Sequence, residues 1–98
     1  MKMSRSAARV AVRVLISGNV QGVFFRSTMK SIAEMNGVVG WVRNLPSGIV
    51  EAIVQGKEGD VGRVLEWCNR GPERANVTNV LVEKIAIDES YRNFAILY

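Results

Sequence analysis

The amino-acid sequence predicts an α+β domain: an antiparallel sheet of four strands plus a short C-terminal strand, with two helices on one face. Three patterns carry that expectation. Segments over residues 9–17 and 76–87 alternate in period two, as a strand with one buried face does. Two others, beyond residues 26 and 60, place apolar residues three and four apart, the spacing of an amphipathic helix. Clusters of glycine, proline and asparagine punctuate the intervals.

Taken in order, Arg9 to Ser17 is the first strand, with Val10, Val12, Val14 and Ile16 against Ala11, Arg13, Leu15 and Ser17. Gly18 and Gly22 then turn the chain into a helix from about Ser27 to Asn36. Met29, Ile32, Ala33 and Asn36 share one of its faces, and Gly37 suits a left-handed C-cap. Val38 to Arg43 and Ile49 to Gln55 form a hairpin around Asn44-Leu45-Pro46-Ser47-Gly48. Gly56 to Asp60 breaks the pattern before a second helix, whose stripe is Val61, Val64, Leu65 and Cys68 and whose end is Gly71-Pro72. Asn76 to Ile87 is the fourth strand, with Val77, Asn79, Leu81, Glu83 and Ile85 on one side. Asp88 to Asn93 is a polar turn, and Phe94, Ile96 and Tyr98 belong to the short last strand.

The order β-α-β-β-α-β is the split β-α-β, or ferredoxin-like, arrangement. Right-handed crossovers and the single hairpin give the strand order 4-1-3-2, with the first and second strands pointing the same way. The glycine turn after the first strand and Asn44 after the second are therefore expected at one sheet edge.

Composition narrows the function. A chain of 98 residues, 48% apolar, suits one domain with one core. Residues 9–98 are read as that domain and residues 1–8, with Lys2 and Arg5, as a flexible basic arm and not a signal peptide. No apolar run approaches the ~20 residues of a membrane span. The single cysteine, Cys68, gives no reason to invoke an oxidising compartment, so a cytoplasmic protein is expected, and a monomer. The chain has no histidine, which removes the commonest general base and metal ligand. Thirteen Lys and Arg against nine Asp and Glu give +4, enough to suit an anionic ligand but short of a nucleic-acid-binding arm.

The informative stretch is Gly18-Asn19-Val20-Gln21-Gly22-Val23-Phe24-Phe25-Arg26. A strand, a glycine turn and a helix start aim unpaired N–H groups and the positive end of a helix dipole at one spot. The two glycines permit a concave nest of N–H groups, and Arg26 adds a two-pronged donor, together a phosphoryl site needing no metal. The plain alternative is a tight turn beside a solvated arginine. Asn44 likewise either caps its turn through its own side chain or orients a water toward bound phosphorus. Cys68 and Arg74 fit the C-x5-R spacing of cysteine phosphatases, but that loop wants its cysteine after a strand and its arginine opening a helix. Here the cysteine lies in a helix stripe, as a core residue. Trp41 and Trp67 are read as packing residues, and no aromatic lies on the first or third strand to stack RNA bases.

With these residues in place, the chain resembles the acylphosphatases. Gly18 to Arg26 matches G-x-V-Q-G-V-x-[FM]-R at every position, and Gly40-Trp41-Val42-Arg43-Asn44, Gly48-Ile49-Val50 and Gly56 match the family's second run. The resemblance covers about residues 9–98. It implies hydrolysis of the carboxyl–phosphate bond of small acyl phosphates with no metal; no other cofactor and, from the residues above, no nucleic-acid or membrane partner is expected. By similarity Arg26 is the phosphate-binding arginine, Asn44 positions the attacking water, and Asn19, Val20, Gln21, Gly22, Val23, Phe24 and Phe25 are the backbone cradle. Leu45 and Ser47 vary the turn beside Asn44. A different outcome is a non-catalytic phosphate-binding module, like the acylphosphatase-like domain of larger hydrogenase maturation factors. An RNA-binding domain of the same strand order is a further alternative.

Overall fold

The computed structural model describes residues 8–98; the basic arm expected over residues 1–8 lies outside them except for Ala8. The elements are β1 (Arg9–Asn19), α1 (Phe25–Met35), β2 (Val39–Asn44), β3 (Val50–Lys57), α2 (Glu58–Cys68), β4 (Asn76–Ile85) and β5 (Phe94–Ile96). They form one five-stranded sheet in the order β4-β1-β3-β2-β5. Both helices lie on the face to which Val14, Ile16, Val42, Val50, Ala52 and Val54 point. Phe25, Met29 and Ala33 of α1 and Val61, Val64, Trp67 and Cys68 of α2 close that core. The Phe25 and Trp67 rings meet with centroids 5.0 Å apart.

Two helix starts come earlier than the sequence predicts. In α1 the chain enters the helix at Phe25 because Phe24, the N-cap, takes a left-handed conformation (φ 64°) and turns it at once, which carries Arg26 into the first turn. In α2 the glycines at 59 and 62 disfavour helix by about 1 kcal/mol each. They are offset by Glu58 and Asp60 against the helix dipole, and by the Glu58 N–H, which donates to the Ala8 carbonyl at 2.9 Å.

β4 also departs from simple alternation, and it ends at Ile85. A bulge where Ser17 pairs with Asn79 but Gly18 with Val77 leaves Thr78 unpaired, so Val77 moves to the helix side with Val80. Gly18 is required there by closeness: a Cβ on it would lie 2.1 Å from the Asn76 carbonyl oxygen.

The sheet is mixed, not wholly antiparallel, because β5 pairs parallel with β2 through Gly40↔Phe94 and Val42↔Ile96. The reason is the path of the chain. β4 ends beside Ala11, at the sheet end away from the glycine turn, and residues 86–93 must then pass four strand spacings, about 19 Å. Such a segment spans at most about 28 Å, so crossing takes most of its reach, and the shortest path delivers it to the same end of the sheet, beside Gly40. β5 therefore starts low and runs toward the end where β1 and β2 finish. The crossing is held to the helix-free face by buried Gln55, whose amide donates to the Asp88 carbonyl (3.0 Å) and accepts from the Asp88 N–H (2.9 Å). Trp41 Nε1 adds a bond to the Tyr91 hydroxyl (3.1 Å).

The same face carries a buried carboxylate. Glu51, 4% exposed, accepts from Arg13 Nε and Arg43 Nε at 2.7 Å each, a rung that ties β1, β3 and β2 together. Burial, the largest single influence, pushes its pKa up, but the two guanidinium bonds together outweigh it and hold the carboxyl below its usual range. A depressed folded pKa contributes stability above the unfolded value of about 4.3, and that stability is lost as pH falls through the folded pKa. Glu51→Gln is thus expected to cost ~1–2 kcal/mol at pH 7, since both arginines are half exposed and screened. It should also flatten the stability curve below about pH 4; urea titrations between pH 3 and 7 measure both.

Candidate active site

The first wall of the site is the β1–α1 junction. β1 ends at Asn19, paired with Asn76, and the next residue, Val20, is fully buried and anchors the turn. Gly22 (φ 73°) and Phe24 (φ 64°) then take left-handed conformations on either side of Val23. Phe24 is the only non-glycine among the described residues with positive φ, a state that costs roughly 1–3 kcal/mol and gathers at functional sites. Among the described residues, no backbone N–H from Gln21 to Ser27 donates to a protein acceptor; the first helical bond is Thr28 N–H to Phe24 C=O at 3.1 Å. No acidic residue occupies the first turn of α1 to offset its dipole. The result is a run of free donors at a positive helix end.

The second wall is the turn after β2. Leu45 N–H bonds the Ile49 carbonyl (2.8 Å) and Gly48 N–H bonds the Leu45 carbonyl (3.0 Å), two backbone bonds that close the turn. The Ser47 hydroxyl accepts from Ile49 N–H at 3.4 Å. The side chain of Asn44 takes no part. Its Oδ1 is the one buried side-chain polar atom without a partner among the described residues. Asn44 does not cap its turn; its carboxamide oxygen accepts from no protein donor among the described residues.

These walls enclose a cavity of about 280 Å³ lined by Val20, Gly22, Phe24, Phe25, Arg26, Ser27, Asn44, Ile96 and Tyr98. Arg26 and Asn44 are thereby brought together, as the topology predicts. Of the expected cradle, Val20, Gly22, Phe24 and Phe25 line the cavity, whereas Asn19 stays in the β1–β4 ladder and Gln21 and Val23 lie outside the lining. Gly18 belongs to the bulge and not to the nest. Sequence reasoning missed Ser27, which follows Arg26 in the first turn of α1, and also Ile96 and Tyr98. The last two arrive because β5 runs parallel to β2, and the alternation Phe94, Ile96, Tyr98 was their only signal, silent about direction. The Arg26 guanidinium stands 5.1 Å from the centroid of the Tyr98 ring and pairs with no carboxylate among the described residues.

Cys68 lies elsewhere, fully buried at the end of α2, where burial pushes its thiol up to about 12; it is core and not a nucleophile.

Fold and cavity together define a class of protein: a ferredoxin-like α+β domain with a donor-rich strand–helix turn facing an asparagine at a hairpin turn. The chain belongs to the acylphosphatase family, whose profile, described as Acylphosphatase, matches residues 12–96. It is similar to the acylphosphatase of Rubrobacter xylanophilus, at 46% identity over 96 residues that cover 98% of this chain and 86% of that one. The solved acylphosphatase structure from Coxiella burnetii superposes with a TM-score of 0.87 at 37% identity, covering 91% of this chain and 93% of that one. Full-length HypF in its phosphate- and nucleotide-bound form also matches, with a TM-score of 0.85 at 27% identity, over 93% of this chain but 12% of HypF.

Proposed function

We propose that the chain hydrolyses the carboxyl–phosphate bond of small acyl phosphates in the cavity between the β1–α1 turn and Asn44. The observation that carries the reading is the meeting, in one cavity, of an uncommitted guanidinium, a run of free N–H donors and a carboxamide oxygen without a partner. Arg26 and the N–H groups of Gly22, Phe24, Phe25, Arg26 and Ser27 hold the phosphoryl oxygens and meet the charge they carry in the transition state. Asn44 Oδ1 accepts a hydrogen bond from a water and fixes its oxygen for attack on phosphorus. The new P–O bond forms as the bond from phosphorus to the acyl oxygen breaks; the carboxylate leaves with the electron pair, and the water's proton passes to a phosphate oxygen. A carboxylate is a good leaving group, so positioning and charge stabilisation suffice without histidine. The acyl group lies toward Val20, Ile96 and the exposed rings of Phe24 and Tyr98.

In this reading residues 9–98 are the working domain, a cytoplasmic monomer without a nucleic-acid or membrane partner. No helix among the described residues is long and apolar enough to cross a membrane. The helix-free faces of β1 and β3 offer Arg13, Leu15, Glu51 and Ile53 but no aromatic to stack a base. Purified protein is expected to release inorganic phosphate from benzoyl phosphate well above the spontaneous rate in the presence of EDTA; a rate equal to background contradicts the reading. The alternative, a phosphate-binding module without turnover, is distinguished by that same assay combined with phosphate titration.

A further inference from the structure

We propose that Gln21 is a positioning residue: its side chain sets the distance between the phosphate cradle and the water-holding Asn44. The role rests on the hydrolytic reading above. The Gln21 amide nitrogen donates to the Leu45 carbonyl at 2.8 Å and to the Ile49 carbonyl at 3.1 Å. Those are the two carbonyls that close the hairpin turn, and each already accepts one bond from within it, Leu45 from Gly48 and Ile49 from Leu45. Gln21 supplies the second bond to both. It sits between buried Val20 and cavity-lining Gly22, so its backbone belongs to the cradle while its side chain belongs to the opposite wall.

The geometry explains what the bonds do. Asn44 immediately precedes Leu45 and pairs with Val50, which immediately follows Ile49. Fixing the carbonyls of 45 and 49 therefore fixes the backbone that aims Asn44. Besides these two bonds, the turn and the cradle are joined by the sheet pairing Ile16↔Val50 and by the apolar packing of Val20 and Phe25 with Val42 and Val50, neither of which bonds the turn's own carbonyls. Reacting groups must be held within about 0.5 Å of productive geometry, and a displacement near 1 Å is enough to lower a rate about a hundredfold. Asn44 has no side-chain bond of its own to hold it, so its placement depends on its backbone.

The test measures kcat for benzoyl phosphate and the inhibition constant of inorganic phosphate in wild type, Gln21→Leu, Asn44→Ala and the double variant. Leucine fills the space, and the two carbonyls keep their turn bonds, so the fold is retained; Gln21→Met serves if circular dichroism shows otherwise. Loss of the strut is expected to lower kcat ~10–100-fold while phosphate inhibition stays within about threefold. In the Asn44→Ala background the same loss is expected to cost less than about threefold, because there is no longer a water-holding group to misplace. An unchanged kcat, losses that multiply in the double variant, or phosphate inhibition weakened in step with kcat each overturn the role. A wild-type chain that turns over no acyl phosphate removes the hydrolytic reading and this role with it, a result distinct from an active enzyme indifferent to Gln21.

Discussion

Arg26→Gln is expected to abolish measurable binding of inorganic phosphate and to lower kcat/KM for an acyl phosphate about a thousandfold or more. A guanidinium makes two parallel charge-assisted bonds to a phosphoryl group, each worth about 1.5–3 kcal/mol, and those two bonds together span the range of roughly 3–6 kcal/mol. Glutamine reaches the same region but brings one neutral donor fork and no charge. The remaining N–H groups cannot compensate, because they are already aimed at the same oxygens. Stability should change little, since Arg26 pairs with no carboxylate among the described residues and loses only its contact with the Tyr98 ring, worth about 0.5–1 kcal/mol at an exposed site. Arg26→Lys should recover part of the loss, keeping the charge but not the planar fork. Phosphate titration by calorimetry and steady-state kinetics on the three proteins check this. A glutamine variant that binds phosphate like wild type would remove Arg26 from the site.

Asn44→Ala is expected to lower kcat by ~100-fold or more while phosphate still binds, the scale of losing a group that acts only in the transition state. Its effect on stability separates the two roles that an asparagine at a turn can have. A capping asparagine loses stability when truncated, whereas Asn44 Oδ1 is buried without a partner and its side chain bonds to nothing in the turn. Truncating it breaks no bond that holds the turn. The alanine variant should therefore melt close to the wild-type temperature while being nearly inactive. Thermal unfolding and kcat measured on one preparation check this. A lower melting temperature with intact kcat would return Asn44 to a structural role.

Much of this was legible in the sequence because it depends on local patterns. Alternation located the strands, the helical stripes gave the faces of both helices, and the order of elements put the β1–α1 turn and Asn44 at one sheet edge. What stayed hidden depends on contacts between distant segments. The direction of β5 follows from the end of the sheet at which the segment 86–93 arrives, and with it the arrival of Ile96 and Tyr98 in the cavity. The side chain of Gln21 reads as part of a turn motif until the turn it bonds, more than twenty residues away, is seen beside it. Phe24 in a left-handed conformation contradicts local preference, and Gly59, read within the break from Gly56 to Asp60, lies in the first turn of α2. The bulge that moves Val77 to the helix side follows from the closeness of Gly18 to β4, which period-two counting does not register.

The central claim is that a water held by Asn44 attacks the phosphorus of an acyl phosphate gripped by Arg26 and the cradle. The most direct measurement is hydrolysis of benzoyl phosphate by the wild-type protein in ¹⁸O-enriched water, with mass spectrometry of both products. The label is expected in inorganic phosphate and not in benzoate, because the bond that breaks joins phosphorus to the acyl oxygen. Label in benzoate would place the attack at the carbonyl carbon and contradict the roles given to Arg26 and Asn44.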